Sequence, residues 1–362
     1  MKIYYKSFLA IILSTVLFCN SVYAAVDQLK LNHDIQTFIK KQPIKAMIYG
    51  LWINGKPILF QASGETMTGV PATTDMHFRI GGVTETMLTT LLMKLSDNNT
   101  LTLSDTINKW YPKLPNASQV TLKMLANGTS GYPDYVYNKR FLKDLEAHPF
   151  KKWTTQELIN YAFEEVSVFK PGTNQHYSHT DYVILGAILS IAAHKSIDKL
   201  YETYIFNPLN MNNTRYALTA DILPPVLHSF SNDRHFYEDS TFWNPSWTSS
   251  SGAVVSNLSD IGKWGNAWMN STLLPIKDTL QLRAPDTVGK GRNTKNIYFA
   301  MGFITINGWI AQNPSFGGYS GFFAVLPKKK VVFAAFNTNK ESASDENLSQ
   351  KLWQQLISKQ NF

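Results

Sequence analysis

Cysteine is almost absent from the 362-residue sequence, which contains only Cys19. Because Cys19 lies inside the export signal predicted below, the mature chain would contain none. Disulfides, a thiol nucleophile and cysteine-bound zinc are then excluded. The sequence also lacks long lysine or arginine runs, internal repeats and low-complexity segments, so it does not indicate nucleic-acid binding or a repeat architecture. It predicts no cofactor and no metal.

The sequence has no apolar run long enough to cross a membrane. A mostly apolar stretch from Phe8 to Phe18 is shorter than the roughly 18 residues that identify a transmembrane helix. It follows the basic segment Met1–Lys6 and precedes Val22-Tyr23-Ala24, which ends in a small residue of the type cut by signal peptidase. We predict a cleaved signal peptide over residues 1–24 and a periplasmic or secreted mature chain.

Cys19 leaves one alternative at this end of the chain, a lipoprotein anchored through that cysteine. The residue before it is the large Phe18, whereas a small residue is expected there. The sequence therefore favours the cleaved signal peptide.

Positive charge is only in modest excess over negative charge. The formal net charge is +8, and removal of Lys2 and Lys6 with the signal lowers it to +6. A solvated basic surface suits an exported protein near an anionic envelope. With 44% hydrophobic residues, a chain of this length can bury a large core.

Apolar periodicity and turn residues predict strands near both ends of the chain. The segment Ile44–Gly64 alternates apolar residues around Asn54-Gly55, a strong hairpin signal, after a short polar helix over residues 28–40. Towards the C-terminus, strands are predicted over Tyr298–Asn307, Trp309–Ala311, Gly321–Leu326 and Val331–Asn337, followed by a helix over Asp345–Ser358.

The middle of the chain, from about Leu101 to Leu280, has a mainly helical pattern. A further helix is predicted over Thr86–Leu95, directly after the Gly81-Gly82 turn. Gly82 and Glu85 should therefore lie in the first turn of a buried helix.

Strands at both ends around a helical middle indicate an α+β fold. An antiparallel sheet built from both chain ends and flanked by helices would occupy residues 25–85 and 290–362. A helical lobe would be inserted over residues 86–289. We expect the two lobes to form one domain, residues 25–362.

Several segments together resemble one known family. The stretch Phe78–Thr86 is similar to its Phe-Arg-Ile-Gly-Ser-Val-Thr-Lys-Thr, and Met124–Tyr135 to its Leu-Leu-x-His-Thr-Ser-Gly-Leu-Pro-Asp-Tyr. Further similarities lie at Phe169–Gly186, Ile205–Met211, Ser250–Ser256 and the closing strands around Gly318-Tyr319. The chain thus resembles class C β-lactamases, penicillin-binding proteins, serine D-alanyl-D-alanine carboxypeptidases and related esterases. The resemblance implies a β-lactamase/transpeptidase-like fold.

In that family the active site is built from Ser-x-x-Lys, Tyr-x-Asn, and a His-x-Gly or Lys-x-Gly triplet on the strand that lines the cleft. Here Gly82 and Glu85 replace the serine and lysine of the first element. The second element is Tyr177-Ser178-His179, which keeps the tyrosine and replaces the asparagine.

The third element also departs from the family's pattern. Matching Gly318-Tyr319 and Pro327 to the family's closing hairpin places the triplet at Gln312-Asn313-Pro314. A shifted register would give Ser315-Phe316-Gly317 but breaks the spacing to Pro327. Neither register contains histidine or lysine.

These departures bear directly on catalysis. Acyl-enzyme chemistry needs a hydroxyl nucleophile and a proton-managing amine one helical turn later. Gly82 supplies no hydroxyl, and Thr84 would point about 200° away around the helix. A buried Glu85 must be paired, hydrogen-bonded or protonated, because an isolated charge is expensive to desolvate. We expect it to pair with His179, where the family has lysine and asparagine.

The retained cleft is expected to bind a ligand. In the family the tyrosine manages protons beside the serine; here Tyr177 would contribute a hydroxyl to binding or simply pack. The ligand-binding candidates are Tyr177, His179, Glu85, Gln312 and Tyr135. Other aromatic residues in stretches that would border the cleft are Tyr132, Phe236, Tyr237, Trp243 and Trp247.

Two other sites are compatible with the sequence. Ser196-Ile197-Asp198-Lys199 fits Ser-x-x-Lys, but it lies on a polar helix without a Tyr-x-Asn partner. Glu85, Tyr177 and His179 could instead form a new acid/base or metal site, although so few ligands make weak metal chemistry.

Three functions follow from these observations. The first is an exported, catalytically inactive family member that acts as a ligand-binding or regulatory protein, with a peptidoglycan-derived peptide or another small ligand in the cleft. The second is an active carboxypeptidase, esterase or β-lactamase with a rearranged site. The third is an envelope- or host-facing interaction protein that uses its outer surface.

Overall fold

The computed structural model describes residues 26–362, so the predicted signal peptide and the alternative anchor at Cys19 lie outside the described residues. Its α-helices are α1 (Gln28–Lys41), α2 (Val83–Asp97), α3 (Leu122–Ala126), α4 (Lys139–Ala147), α5 (Thr155–Ala162), α6 (His179–Ala192), α7 (Ile197–Tyr201), α8 (Leu258–Met269), α9 (Ile276–Leu282) and α10 (Leu348–Leu352). None of the helices within residues 26–362 is long and apolar enough to span a membrane.

The strands are short in the middle of the chain and longer near its ends. They are β1 (Ile44–Ile53), β2 (Lys56–Met67), β3 (Val70–Pro71), β4 (Phe78–Arg79), β5 (Arg215–Tyr216), β6 (Phe230–Ser231), β7 (Glu238–Asp239), β8 (Val254–Ser256), β9 (Ile297–Phe299), β10 (Ile304–Ile306), β11 (Trp309–Gln312), β12 (Ser315–Phe316), β13 (Tyr319–Leu326) and β14 (Val331–Asn339). Short 3₁₀ helices cover Ile107–Lys109, Tyr135–Tyr137, Pro245–Trp247, Ser249–Ser251 and Pro327–Lys329, and π-helical turns over Glu202–Phe206 and Trp353–Ile357 extend α7 and α10.

One large antiparallel sheet contains strands from both ends of the chain. Its order is β3-β2-β1-β14-β13-β11-β10-β9, with β12 also paired to β13. In its centre β1, from the N-terminal part, pairs with β14, from the C-terminal part, so that Tyr49 lies opposite Ala335. This arrangement confirms the predicted α+β fold with a sheet built from both chain ends.

The Asn54-Gly55 turn joins β1 and β2, as predicted. Both residues have positive φ angles, 52° and 77°, a conformation that asparagine and glycine tolerate best. The Asn54 N–H donates to the Lys330 carbonyl oxygen at 2.9 Å, in the turn before β14. The two chain ends are therefore joined at their turns as well as along their strands.

Alternation along β1 places buried side chains on both faces of the sheet. Ala46 and Ile48 belong to a large core that includes residues of α2, α6 and α8. Met47, Tyr49 and Leu51 belong to a second core that includes residues of α1 and α10. The sheet is thus buried between two helical layers.

The segment predicted as one strand over Tyr298–Asn307 forms two strands, β9 and β10. Gly302, with a φ of 81°, lies in a tight turn between them. In this turn the Ala300 N–H donates to the Phe303 carbonyl oxygen at 2.8 Å. The turn brings the Gly302 backbone to the candidate site described below.

The remaining predictions differ from the structure in detail. Helices are the main regular elements in the middle of the chain, as predicted, but they cover less than half of it. Two of its strands, β5 and β8, form a small sheet with β4 in the order β4-β8-β5. The C-terminal helix begins at Leu348 rather than Asp345, because the Asn347 side chain caps it by accepting the Gln350 N–H at 2.9 Å.

Candidate functional site

The first element of the candidate site is the turn between β4 and α2. The Ile80 N–H donates to the carbonyl oxygen of Val254 in β8 at 3.1 Å, which ties the turn to the small sheet. Gly81 has a φ of 48°, and Gly82 caps α2 without a side-chain hydrogen bond. Gly82 and Glu85 therefore lie at the start of α2, as the sequence predicted.

Glu85 is a fully buried carboxyl group. A hydrogen bond joins the Tyr177 hydroxyl to its Oε1, and Gln312 Nε2 donates to its Oε2 at 3.1 Å. Burial raises the pKa of Glu85 well above its usual range, and these hydrogen bonds offset only part of the rise. Burial also raises the pKa of Tyr177. Burial thus favours the uncharged form of both side chains.

Gln312, the last residue of β11, links this carboxyl group to the glycine. Its Nε2 also donates to the Gly302 carbonyl oxygen at 2.6 Å. A Cβ atom built on Gly82 would lie 2.8 Å from Gln312 Oε1, which is closer than real contacts allow. The carboxamide thus occupies the space beside Gly82. Pro314, the other residue assigned to the third element, lines the same cleft, as does Ser315 of the alternative register.

His179 pairs with Asp134, not with Glu85 as the sequence predicted. His179 Nδ1 lies 2.9 Å from Asp134 Oδ2, and the side chains are 24% and 1% exposed, respectively. The predicted pairing was wrong because Tyr177 and Gln312 already bind the two oxygens of Glu85. Asp134 instead offers a buried carboxyl group beside the first residue of α6.

Asp134 is a site residue that the sequence analysis missed. Its Oδ1 accepts the Val136 N–H at 3.3 Å, so it also caps the 3₁₀ helix Tyr135–Tyr137. Its position in the Met124–Tyr135 stretch was a signal that it lies near the cleft. The pattern could not indicate that its second oxygen reaches His179.

Tyr135 is a core residue rather than part of the cleft lining. Its side chain is fully buried, and its hydroxyl donates to the Trp247 carbonyl oxygen at 2.6 Å. It packs edge-on against Phe141, with ring centroids 5.1 Å apart. Sequence position alone could not separate this buried ring from Trp247, which does line the cleft.

Tyr177, His179 and Gln312 open onto a cleft of about 410 Å³. Among its described lining residues, none is a carboxylate, lysine or arginine, and His179 is the one whose side chain can become positively charged. The full lining consists of Gly81, Gly82, Val136, Tyr177, His179, Trp247, Thr248, Ser251, Gly252, Phe299, Ile304, Gln312, Asn313, Pro314 and Ser315. The cleft is thus a nearly uncharged cavity with a mostly apolar lining and one imidazole in its wall.

The other proposed nucleophiles lie elsewhere. Thr84 is fully buried, and its Oγ1 accepts a backbone N–H of β8 at 3.4 Å. Ser196 and Lys199 are exposed at the start of α7, where Lys199 forms an ion pair with Glu202 at 2.6 Å. Within residues 26–362, no group of three or more His, Cys, Asp or Glu side chains could hold a metal ion.

Residues 31–356 match the sequence profile of the β-lactamase family. The chain is 26% identical over 308 residues to the D-alanyl-D-alanine-carboxypeptidase/endopeptidase AmpH of Escherichia coli K12, covering 77% of this chain and 76% of AmpH. It is also 26% identical over 218 residues to a β-lactamase of Psychrobacter immobilis. That alignment covers 59% of this chain and 52% of the β-lactamase, so the chain matches about half of that relative's length.

Solved structures share the fold. A D-stereospecific amidohydrolase from Streptomyces sp. superposes with a TM-score of 0.81 at 21% identity, over 91% of this chain and 98% of that one. An octameric penicillin-binding protein homologue from Pyrococcus abyssi gives 0.78 at 19% identity, over 92% and 78%. These similarities confirm the β-lactamase/transpeptidase-like fold. Because the family profile also matches most of the sequence, the chain belongs to the β-lactamase family.

Proposed function

We propose that this protein binds a ligand in its cleft as a catalytically inactive member of the family, in a binding or regulatory role. The contact between Gly82 and Gln312 carries the proposal. The position of the family's serine has no side chain, and Gln312 Oε1 lies only 2.8 Å from the point where one would begin. A covalent acyl-enzyme therefore has no attacking atom at this position.

The state of Glu85 supports the same conclusion. The family's lysine contributes an ammonium group that manages the proton of the serine. In its place stands a buried carboxyl group whose pKa is raised by burial and which is bound on both oxygens. Glu85 therefore contributes packing and hydrogen bonding to the floor of the cleft.

A peptide of the peptidoglycan type is the proposed ligand. The cleft volume of about 410 Å³ is in the range of small-molecule sites. The relative AmpH is named for action on D-alanyl-D-alanine peptides. Tyr177 and His179 line the cleft and supply polar and aromatic surface for such a ligand.

Export belongs to the proposal as well. The basic, apolar and small-residue order of residues 1–24 supports a cleaved signal peptide and a periplasmic or secreted product. Mass spectrometry of protein recovered from the periplasm of a bacterial host should give the mass of a chain starting at Ala25. The mass of the full chain, or of a chain lipidated at Cys19, would contradict this part of the proposal.

Covalent labelling tests the loss of acyl transfer. The mature protein should form no adduct with a fluorescent penicillin or a fluorophosphonate, whereas a family member that contains the Ser-x-x-Lys serine should be labelled in parallel. Ligand binding is tested separately, because a ligand that binds only the native state raises the midpoint of thermal unfolding. A covalent adduct on the mature protein would overturn the proposal.

The Asp134–His179 pair supports a second candidate function, a hydrolase with a rearranged site. With its Nδ1–H donated to Asp134, a neutral His179 could accept a proton from water at Nε2. The water oxygen would bond to the acyl carbon of a bound peptide, and the proton would then pass to the leaving amine as the carbon–nitrogen bond breaks. Release of D-alanine from acetyl-D-alanyl-D-alanine that is lost on His179→Asn would favour this function over binding alone.

A further inference from the structure

The charge of the cleft wall restricts the ligands that it can hold. Lysine is absent at position 85 and from both registers of the third element, so the cations that the family places there are missing. Glu85 is not among the residues that line the cleft, and its two oxygens are bound by Tyr177 and Gln312. An anionic group in this cleft therefore has His179 as its one cationic partner among the described lining residues.

The position of the His179 ring is determined by its neighbours. Asp134 binds Nδ1 at 2.9 Å, which leaves Nε2 as the nitrogen available to a ligand. The Tyr177 ring lies edge-on at a centroid distance of 4.9 Å, and the Trp247 ring is at 6.4 Å. Because a buried carboxyl group and neighbouring aromatic rings hold it, the imidazole is oriented before any ligand arrives.

Among the described ionisable groups around His179, Asp134 is the one that forms an ion pair with it. Tyr135 and Tyr177 contact the ring and have pKa values raised by burial. Glu85 is hydrogen-bonded to Tyr177, and Asp181 lies in the first turn of α6; burial raises the pKa of both. A protonated His179 would thus lie between the Asp134 carboxylate on one side and the open cleft on the other.

We propose that His179, held by Asp134, is the anchor for a ligand carboxylate, such as the C-terminal carboxylate of a short peptide. This proposal rests on the proposed binding function and names the chemistry of the ligand. The imidazolium Nε2–H donates to a carboxylate oxygen, and a charge-assisted bond of this kind is roughly twice as strong as a neutral one. An otherwise identical ligand with a terminal amide lacks that interaction.

Calorimetry with a matched pair of ligands tests the anchor. The mature protein is titrated at about pH 6 with acetyl-D-alanyl-D-alanine and with its C-terminal amide. We expect the carboxylate to bind about 10-fold more tightly than the amide. In His179→Asn, which restores the asparagine of the family's motif, the two affinities should become nearly equal.

A second histidine–aspartate pair provides the control. His228 Nδ1 lies 2.7 Å from Asp239 Oδ2, and neither residue lines the cleft. His228→Asn should keep the 10-fold preference, and Asp134→Asn should reduce it, provided that thermal unfolding shows both variants to be folded. If His228→Asn abolished the preference as His179→Asn does, the assignment to the cleft would be wrong.

The remaining outcomes distinguish failure of the carboxylate anchor from failure of the proposed function. Equal affinity of the wild-type protein for both ligands overturns the carboxylate anchor and leaves the binding function in place. Binding of neither ligand overturns the anchor for this peptide class. The loss of acyl transfer is overturned instead by covalent labelling with penicillin or a fluorophosphonate, and that measurement does not depend on His179.

Discussion

The carboxamide of Gln312 lies against Gly82 at the point where a side chain would begin, 2.8 Å from an ideal Cβ position. The same carboxamide donates to Glu85 Oε2 and to the Gly302 carbonyl oxygen. Replacing the serine by glycine and placing glutamine on β11 are thus complementary changes, because a side chain at position 82 would require the Gln312 carboxamide to shift. The departures at the first and third elements of the site form one packed unit.

We expect Gly82→Ala to destabilise the protein by about 1–3 kcal/mol, the usual cost of overpacking a close contact. The new Cβ would displace the Gln312 carboxamide from its two buried acceptors. In a Gln312→Ala background the same substitution should cost much less, because no carboxamide then lies in contact with the new Cβ. Urea unfolding of the four proteins gives the coupling energy. An equal effect of Gly82→Ala in both backgrounds would show that the two residues do not compete for space.

We expect Gly82→Ser/Glu85→Lys to remain unlabelled by fluorescent penicillin. The substitutions restore the Ser-x-x-Lys residues, but Gln312 and Pro314 still occupy the third element, and Gln312 would contact the new serine. A variant that also carries His179→Asn, Gln312→Lys and Pro314→Gly rebuilds all three elements and is the informative comparison. Efficient acylation of the double variant would mean that the third element matters less than its packing indicates.

The sequence predicted the framework of this protein well, because local signals determine it. Asn54-Gly55 specifies a tight hairpin, and its two positive φ angles are those that the turn requires. The boundary errors have local causes that apolar periodicity does not detect. Gly302 divides one apolar run into β9 and β10, and the cap at Asn347 makes the last helix begin at Leu348, three residues after its predicted start.

The contacts between the residues of the site were harder to predict from the sequence than the identity of those residues. The spacing to Gly318-Tyr319 and Pro327 predicted that Gln312 lies in the cleft. Several polar side chains converge there, however, and the sequence does not determine which of them pair. Glu85 is bound by Tyr177 and Gln312, so His179 takes Asp134, a residue 45 positions away. Pairings of this kind depend on small differences in the distances between side chains that belong to separate helices and strands.

We expect Tyr177→Phe to destabilise the protein by about 1–3 kcal/mol, because it leaves Glu85 Oε1 buried without its hydroxyl partner. In a Glu85→Leu background, where no carboxyl group remains, the same change should cost much less. Tyr182→Phe is the matched control, since its hydroxyl donates to the Ala126 carbonyl oxygen at 3.0 Å and its cost should be similar in both backgrounds. If Glu85→Leu left the cost of Tyr177→Phe unchanged, the hydroxyl would stabilise the protein through a partner other than Glu85.

Glu85 should also make stability fall as the pH rises. In the unfolded chain its carboxyl group ionises near its ordinary pKa of 4.5, whereas burial keeps it protonated in the folded protein to a much higher pH. Above 4.5 the unfolded state therefore binds fewer protons, and this group lowers the free energy of unfolding by up to about 1.4 kcal/mol per pH unit until the folded pKa is reached.

Glu85→Gln removes this titration while keeping the shape of the side chain, so its free energy of unfolding should decline less between pH 5 and pH 7 than that of the wild-type protein. Urea unfolding at several pH values measures both slopes. Asp181→Asn is a matched comparison, because Asp181 is also fully buried and its pKa is also raised by burial. Each variant should by itself flatten the pH profile of the free energy of unfolding, and the two effects should add in the double variant. Each substitution removes one group whose proton binding differs between the folded and unfolded states. A Glu85→Gln profile parallel to that of the wild-type protein would mean that Glu85 is ionised in the folded state, and the cleft would then carry a negative charge at its floor.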